Sequence, residues 1–408
     1  MFLKKIFDSD RIVRADIDVL ILGNRAVGKT SLLATMLYKM NEKLRPNGIT
    51  FESADEETDR KLKESISKIE QMFLVEDSVG VGVGIDGTDR FEDYNFQLKF
   101  IDDSNEVKKE LSSFKLIFHD HEGSVLAEGE KGGWQYQQLH EKFMQSQIIY
   151  VLVEAPYLME LSKRDEIAEI SAKKEILKLF QELGENCGEK LIVVVPTKCE
   201  YYLRNNRITE LLDKLQREFK DLIDYISQIN KSGNRKRIRL YVTPIQTVGG
   251  LEFARMKYID GVGSVPDFRR TMPNSRFDPK QTDLLLLFCM EYLLDCFFDE
   301  AANGVSIKNM KTTVEKMRKQ DDEKKLSDCY TIWDELIQKG SDQEKQKKLF
   351  RDMLYSFFQE YNDRESVIKG ISENETVQKC QKLYSSKRKI EDGFSKQFEQ
   401  YFTEIYVQ

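Results

Sequence analysis

The sequence predicts an α/β fold in which a doubly wound, mostly parallel sheet carries helices on both faces. Short apolar runs alternate with stretches of helical periodicity, as they do in sheets built from strand–helix–strand units. Several of these runs are almost continuously apolar, which is typical of parallel strands covered on both faces. Polar residues follow these runs, at the edge where such sheets bind ligands.

The first strand is predicted at Val19–Leu22, and a glycine-bounded turn follows it. The turn reads Gly-Asn-Arg-Ala-Val-Gly-Lys-Thr over residues 23–30, and an apolar helical stripe begins directly after it. Glycines let the backbone bring convergent N–H groups close to a phosphate, and the helix N-terminus faces the same anion. We name residues 23–30 the phosphate loop. The predicted phosphate-binding residues are Gly23, Asn24, Arg25, Ala26, Val27, Gly28, Lys29, Thr30 and Ser31.

Two kinds of side chain are predicted to act on the phosphates. Lys29 would neutralise the β- and γ-phosphates, and the Thr30 hydroxyl would join the shell of a Mg²⁺ ion. Asp120 ends the strand that contains Phe114–Phe118, a position that suits a carboxylate holding Mg²⁺ directly or through water. Gly123 completes the pattern D-x-x-G, in which the glycine N–H can sense a γ-phosphate.

A threonine from the loop before strand 94–100 is predicted to close on the same ion. Thr88 follows the glycine-rich residues 80–87, and Thr50 and Thr58 are the alternatives. His119 and His121 flank Asp120, so a transition-metal site is an alternative use of that pair.

The remaining elements follow the same alternation. Residues 45–87 are predicted to be an insertion with a short strand at 49–52 and an amphipathic helix at 56–74. Further strands are predicted at 148–153, 191–195 and 238–242, and further helices at 134–144, 167–183, 208–229 and 284–298.

The order of these motifs resembles that of the Ras-like P-loop GTPases of the translation-factor class. Thr197-Lys198-Cys199-Glu200 is similar to the family's [N/T]-K-x-D motif, with glutamate in place of aspartate. The resemblance implies that Lys198 lies along a guanine base and that Glu200 accepts hydrogen bonds from its N1–H and 2-amino groups. Adenine lacks these two donors, so the resemblance implies a preference for GTP over ATP. The base-capping loop of the family corresponds to Thr243, Pro244 and Ile245.

The sequence of residues 243–250 and the insertion before Thr88 are also similar to those of the bacterial double-GTPase proteins of conflict systems. That likeness implies a role in anti-phage defence. The general GTPase resemblance covers residues 15–300.

One departure from the family bears on catalysis. Family members often place a glutamine directly after D-x-x-G to orient the attacking water, whereas this chain has Ser124. We therefore expect unaided hydrolysis on the order of 10⁻³ s⁻¹ or slower. Arg25 is a candidate to reach the γ-phosphate, and His121 or Glu122 to position water. A scaffold that holds nucleotide without turnover and a P-loop ATPase remain the alternatives.

The chain of 408 residues exceeds the length that one hydrophobic core usually serves. We predict a lead-in at 1–15, the GTPase domain at 16–300 and an α-helical domain at 301–408. The last part is densely charged, and its apolar stripes at helical spacing predict either a packed bundle or a surface for a protein partner or an oligomer. Those stripes are Cys329, Trp333, Leu336, Ile337; Leu349, Phe350, Met353, Leu354, Phe357, Phe358, Tyr361; and Phe394, Phe398, Tyr401, Phe402, Ile405.

Composition narrows the function classes. The net charge of −7 argues against a nucleic-acid partner. The first residues lack the pattern of a secretory signal, and the most apolar run, 284–298, is too short to span a bilayer, so we expect a cytoplasmic protein. The six cysteines are scattered without a C-x-x-C pair, which predicts free thiols.

Overall fold

A computed structural model provides the structure of the chain. It describes residues 13–24, 26–44, 49–74, 91–102, 109–128, 133–162, 172–183, 190–232, 238–260, 263–272, 274–282, 284–340, 342–361, 377, 380–381, 384–385, 388 and 403–404.

The described strands form a central sheet and a separate hairpin. In chain order they are β1 (Val13–Leu22), β2 (Ile49–Ser53), β3 (Glu92–Asp102), β4 (Lys109–Asp120), β5 (Ile148–Glu154), β6 (Lys190–Thr197), β7 (Ile238–Val242), β8 (Leu251–Ile259), β9 (Gly263–Arg270) and β10 (Thr403–Glu404). The sheet has the order β10-β7-β6-β5-β1-β4-β3-β2, and β8 pairs with β9 alone. Strands β4, β1, β5, β6 and β7 pair in parallel, whereas β2, β3 and β10 join in antiparallel pairs.

The described helices alternate with the strands through the first part of the chain. They are α1 (Lys29–Leu44), α2 (Glu56–Met72), α3 (Gly123–Glu128), α4 (Trp134–Gln145), α5 (Ala155–Glu160), α6 (Lys173–Leu183), α7 (Glu200–Arg204), α8 (Ile208–Glu218), α9 (Lys220–Ser232), α10 (Leu284–Gly304), α11 (Ile307–Gln320), α12 (Ser327–Gln338) and α13 (Gln343–Tyr361). The start of α2 illustrates the local chemistry, because the Asp55 carboxylate accepts a hydrogen bond from the Thr58 N–H at 2.7 Å. The predicted inserted helix therefore forms.

Helices pack against the central strands of the sheet. On one face, Leu20 and Leu22 of β1 share a buried cluster with Leu139 of α4, Phe180 of α6 and Leu211 of α8. The Tyr150 hydroxyl of β5, between the cluster residues Ile149 and Val151, donates to the Leu285 carbonyl at 2.7 Å. Every residue of β5 and β6 is buried, as two-sided covering requires. The predicted α/β class with a mostly parallel sheet is confirmed.

The structure differs from the predicted elements in three places. Helix 208–229 is two helices, α8 and α9, with the buried Phe219 between them, and no glycine or proline marks that break. Thr403 and Glu404, which lie between the residues named for the predicted stripe at 394–405, pair as a strand with Val242 and Tyr241 of β7. The residues of that stripe lie outside the described residues, and backbone hydrogen bonding at the edge of β7 explains the extended pair. The β8–β9 hairpin had no counterpart in the predicted elements.

Contacts divide the described chain into two compact units: the first contains the described residues up to Leu285 together with β10, and the second begins at Leu286, in the first turn of α10. The first unit holds the sheet and the hairpin. In the second, the α13 face that includes Phe350, Phe357 and Phe358 is buried, as is Trp333 of α12. The predicted stripes at 329–337 and 349–361 thus lie on helices.

Within the described residues, no helix combines the length and apolarity needed to cross a bilayer. The cysteines described there, Cys199, Cys289, Cys296, Cys329 and Cys380, are free thiols.

A buried imidazole links three strands of the sheet. His119 of β4 is 1% exposed, its Nδ1 lies 2.6 Å from Asp93 Oδ1 on β3, and its Nε2 lies 2.8 Å from Asp18 Oδ1 on β1. Burial lowers the pKa of His119, but the hydrogen bonds to the two aspartates outweigh it and raise that pKa above its ordinary value. The His119 hydrogen bond also holds the pKa of Asp93 below its usual range.

We predict that His119→Gln lowers the free energy of unfolding by about 1–3 kcal/mol at pH 6. A raised folded-state pKa stabilises the fold fully below the unfolded pKa of about 6.5, and the gain is lost as pH rises through the folded value. The difference between wild type and variant should therefore shrink at pH 9. Urea unfolding at both pH values measures it, and an equal difference at both would contradict the ion pair. His140→Gln is the control, because His140 is 35% exposed beside Glu182.

Candidate functional site

Many of the predicted site residues lie at the carboxyl ends of the parallel strands, along one edge of the sheet. Ile21 of β1 lies opposite Asp120 of β4, and Glu154 of β5 lies opposite Thr197 of β6. Strand β1 pairs with β4 on one side and β5 on the other, so the chain reverses its winding direction there. Open α/β sheets bind ligands at such a reversal.

The Lys29 side chain folds back over the phosphate loop. Its Nζ donates to the carbonyl oxygens of Gly23 at 2.9 Å and Asn24 at 3.3 Å. Burial lowers the pKa of Lys29, and the charge of Asp120 opposes that effect. A Cβ on Gly23 would lie 2.8 Å from Val27 Cγ1, so the close approach of the loop to itself requires glycine. A buried cation thus spans the described part of the loop.

Thr30 and Asp120 bring two oxygen atoms together beside that cation. The Thr30 hydroxyl donates to Asp120 Oδ2 at 3.1 Å, and Asp120 is buried at the end of β4. Mg²⁺ prefers oxygen ligands and needs only one or two from protein when phosphates and water supply the rest, so this pair fits the ion. The described residues contain no group of three or more histidine, cysteine or acidic side chains that could hold a metal.

The residues after Asp120 differ in which of their hydrogen-bonding groups are already engaged. His121 is buried, its Nδ1 lies 2.7 Å from the Glu122 carbonyl oxygen, and its Nε2 has no hydrogen-bond partner within the described part of the chain. Burial, together with the charge of Lys29, lowers the pKa of His121 to about 3, so the imidazole is neutral. The Glu122 carboxylate accepts hydrogen bonds from the Ser124 hydroxyl and the Gln135 amide. Gly123, also buried, begins α3.

The end of β6 is hydrogen-bonded to the phosphate loop. The Thr197 hydroxyl donates to the Val27 carbonyl at 2.9 Å, and Lys198 Nζ donates to the Ala26 carbonyl at 3.0 Å. Lys198 also lies 2.8 Å from Glu154 Oε1. Burial raises the pKa of Glu154, and Lys198 opposes that shift. Glu154 was missed in the sequence, although an acid ending an apolar strand at this edge was the available signal.

Glu200 is buried and tied to the loop that follows β7. Its Oε1 accepts hydrogen bonds from the backbone N–H groups of Val248 and Gly249, both at 3.0 Å. Burial raises the pKa of Glu200, and these two hydrogen bonds oppose the rise.

The predicted capping residues run beside the end of β6. The Thr243 N–H donates to the Val194 carbonyl at 3.0 Å, and the Ile245 N–H donates to the Pro196 carbonyl at 2.9 Å. Thr243, Pro244 and Ile245 are all buried. Residues 243–245 are therefore hydrogen-bonded to the end of β6, the strand that leads into the motif containing Glu200.

Two predicted site residues, Arg25 and Thr88, lie outside the described residues, and their roles stay predictions. The alternative Thr58 is engaged in the cap of α2, where its hydroxyl accepts from the Asn95 N–H at 3.1 Å. Thr50 lies on the edge strand β2.

No protein-family model and no curated protein matches the chain. Two solved structures of the S. cerevisiae Ski7 GTPase-like domain, one bound to GTP and one to GDP and inorganic phosphate, are similar to it at 14% sequence identity and a TM-score of 0.31. The matches cover 57% and 62% of this chain and 43% and 46% of those chains. The chain thus spans less than half the length of these structures.

We predict that Gly249→Ala lowers the free energy of unfolding by about 2–4 kcal/mol. Gly249 has a φ of +75°, and an added Cβ would lie 1.8 Å from the Asp278 carbonyl oxygen, so the loop that holds Glu200 must move. The matched control is Gly263→Ala, whose φ is +98° but whose Cβ would meet no atom within 4 Å. The control should lose only the conformational part, about 1–2 kcal/mol. Equal losses in urea unfolding would contradict the clash.

Proposed function

We propose that the chain binds a magnesium–guanine nucleotide at this edge of the sheet and hydrolyses GTP slowly, as a switch for a protein partner. One observation carries the proposal: the phosphate-binding and base-reading motifs act on the same loop. Lys29 bonds the carbonyls of Gly23 and Asn24, while Thr197 and Lys198 bond those of Val27 and Ala26 across a sequence separation of about 170 residues. Phosphate and base would therefore be held at a fixed separation.

At the phosphate end, this chain supplies one cation and two oxygen ligands. Lys29 would exchange a carbonyl partner for a β- or γ-phosphate oxygen, while the N–H groups at the start of α1 face the same anion. Thr30 and Asp120 would hold Mg²⁺, which when bound would neutralise charge on the phosphates. Gly123 would offer its N–H to the γ-phosphate, and Arg25 and Thr88 would complete the constellation.

At the base end, the Glu200 carboxylate is the reading group. Val248 and Gly249 hold its Oε1, and Oε2 would accept hydrogen bonds from guanine. The stem of Lys198 would lie along the base while its ammonium group stays on Ala26 and Glu154. The base end would also be supported by the capping residues Thr243, Pro244 and Ile245, which run beside the end of β6. Adenine offers no matching donors, so a buried carboxylate would disfavour it.

Slow turnover follows from the groups around the attacking water. The neutral His121 has an acceptor nitrogen at Nε2 and would orient water by hydrogen bonding without first losing a proton. Glu122 already accepts hydrogen bonds from Ser124 and Gln135, so its oxygens are less available to a water molecule. The helices beyond α10 would then couple nucleotide state to a partner.

The alternative function is a scaffold that retains nucleotide without hydrolysis. The engagement of Glu122 and the serine at position 124 favour it, because Glu122 already holds Ser124 and Gln135 and the chain has no glutamine directly after D-x-x-G. Time courses of phosphate release separate the two functions.

We predict that Lys29→Ala abolishes phosphate release from Mg-GTP, since the loop would lose the cation that neutralises the transferring phosphate. Release is measured over hours at saturating GTP. Lys214→Ala is the matched control. Lys214 lies on α8, outside the proposed site, and like Lys29 it donates to two backbone carbonyls, those of Met159 and Leu161. Equal release from wild type and Lys29→Ala would contradict catalysis at this site, and GTP bound intact by wild type would favour the scaffold.

We predict that Glu200→Gln reduces the ratio of GDP to ADP affinity by about 10-fold or more, because an amide presents a donor to the guanine donors. Glutamine keeps one acceptor oxygen for Val248 and Gly249, so the fold should persist, as thermal melting can check. Calorimetric titration of both nucleotides gives the ratio. An unchanged ratio would show that Glu200 does not read the base.

A further inference from the structure

The β8–β9 hairpin, absent from the predicted site, is attached beside its base end. Phe253 of β8 and Phe268 of β9 are cross-strand partners. The Phe253 ring stacks on Tyr202 at 6.3 Å and meets the Tyr201 ring edge-on at 6.0 Å. Both tyrosines belong to α7, the helix that begins with Glu200.

A buried carboxylate fixes the same hairpin to the same helix. Glu252 is 1% exposed, its Oε1 accepts from Arg269 Nε at 3.0 Å, and its Oε2 lies 2.5 Å from Arg204 at the end of α7. A buried acid with two cationic partners holds its position, because breaking either contact would leave charge uncompensated. The hairpin therefore keeps a set place relative to Glu200.

Phe268 projects from this hairpin onto the base-reading lysine. Its ring centroid lies 5.3 Å from Lys198 Nζ, within cation–π range, while that ammonium remains bonded to Ala26 and close to Glu154. Phe268 packs against the buried cluster of the sheet and is only half-buried, so part of its ring is uncovered. An aromatic surface thus stands next to the side chain proposed to lie along the base.

We propose that Phe268 is an aromatic wall of the base subsite, against which the purine ring of the bound nucleotide stacks. The inference rests on the proposed function, since it requires a nucleotide base beside Lys198. Aromatic rings attract each other when their centroids are about 4.5–7 Å apart, and a base stacked on a phenylalanine contributes about 5- to 100-fold in affinity. Stacking tolerates any purine, so Phe268 would set affinity while Glu200 sets the choice of base.

The test measures binding of GDP and of inorganic pyrophosphate to the full chain. Pyrophosphate has no base, so it reports on the phosphate loop alone. Phe268→Ala should weaken GDP binding about 10-fold and leave pyrophosphate binding within twofold. Phe268→Tyr should bind GDP as wild type does, whereas Phe268→Leu should resemble the alanine variant. Tyr258→Ala, at a 71% exposed position on β8, is the control and should change neither affinity.

Three results with a GDP-binding wild type would overturn the inference and leave the proposed function standing. They are GDP binding by Phe268→Ala as tight as in wild type, equal weakening of GDP and pyrophosphate, and full affinity in Phe268→Leu. A folded wild type that binds no guanine nucleotide would overturn the proposed function and this inference together. If Phe268→Ala fails to fold, the leucine and tyrosine variants decide the matter.

Discussion

The backbone carbonyls of the phosphate loop are the acceptors on which the rest of the site depends. Lys29 bonds two of them from the loop's own helix, and Thr197 and Lys198 bond two more from the end of β6. These side chains cannot reach the loop unless β1, β5 and β6 pair in their observed register. The register of the parallel sheet therefore brings the group proposed to bind phosphate and the group proposed to read the base to the same loop.

The same edge concentrates buried charge, which is costly unless each group has a partner. Lys29 lies near Asp120, Lys198 near Glu154, and Glu200 beneath two backbone N–H groups. Apolar replacements of buried ion pairs are often neutral or stabilising, so the proposed binding of a charged ligand offers a reason for the arrangement. The hairpin adds to this preparation by fixing Phe268 over Lys198 through contacts that do not involve the phosphate loop.

Short-range sequence patterns predicted those elements whose structure depends on neighbouring residues in the chain. Glycine spacing gave the phosphate loop, and continuous apolar runs gave β5 and β6, because these signals lie within about ten neighbouring residues. The tie from Glu200 to Val248 and Gly249, the role of Glu154 and the docking of the hairpin depend on residues far apart in sequence. The break at Phe219 and the pairing of Thr403 with β7 arise from packing and an open strand edge, which periodicity does not encode.

Guanine binding by the shared loop is the central claim, and a competition experiment tests it most directly. Purified protein and Lys29→Ala would be incubated with equal concentrations of Mg-GTP and Mg-ATP, and the bound nucleotide released and separated by chromatography. The account predicts guanine nucleotide from wild type, partly converted to GDP over hours, and none from Lys29→Ala. Recovery of adenine nucleotide, or of no nucleotide from wild type, would contradict it.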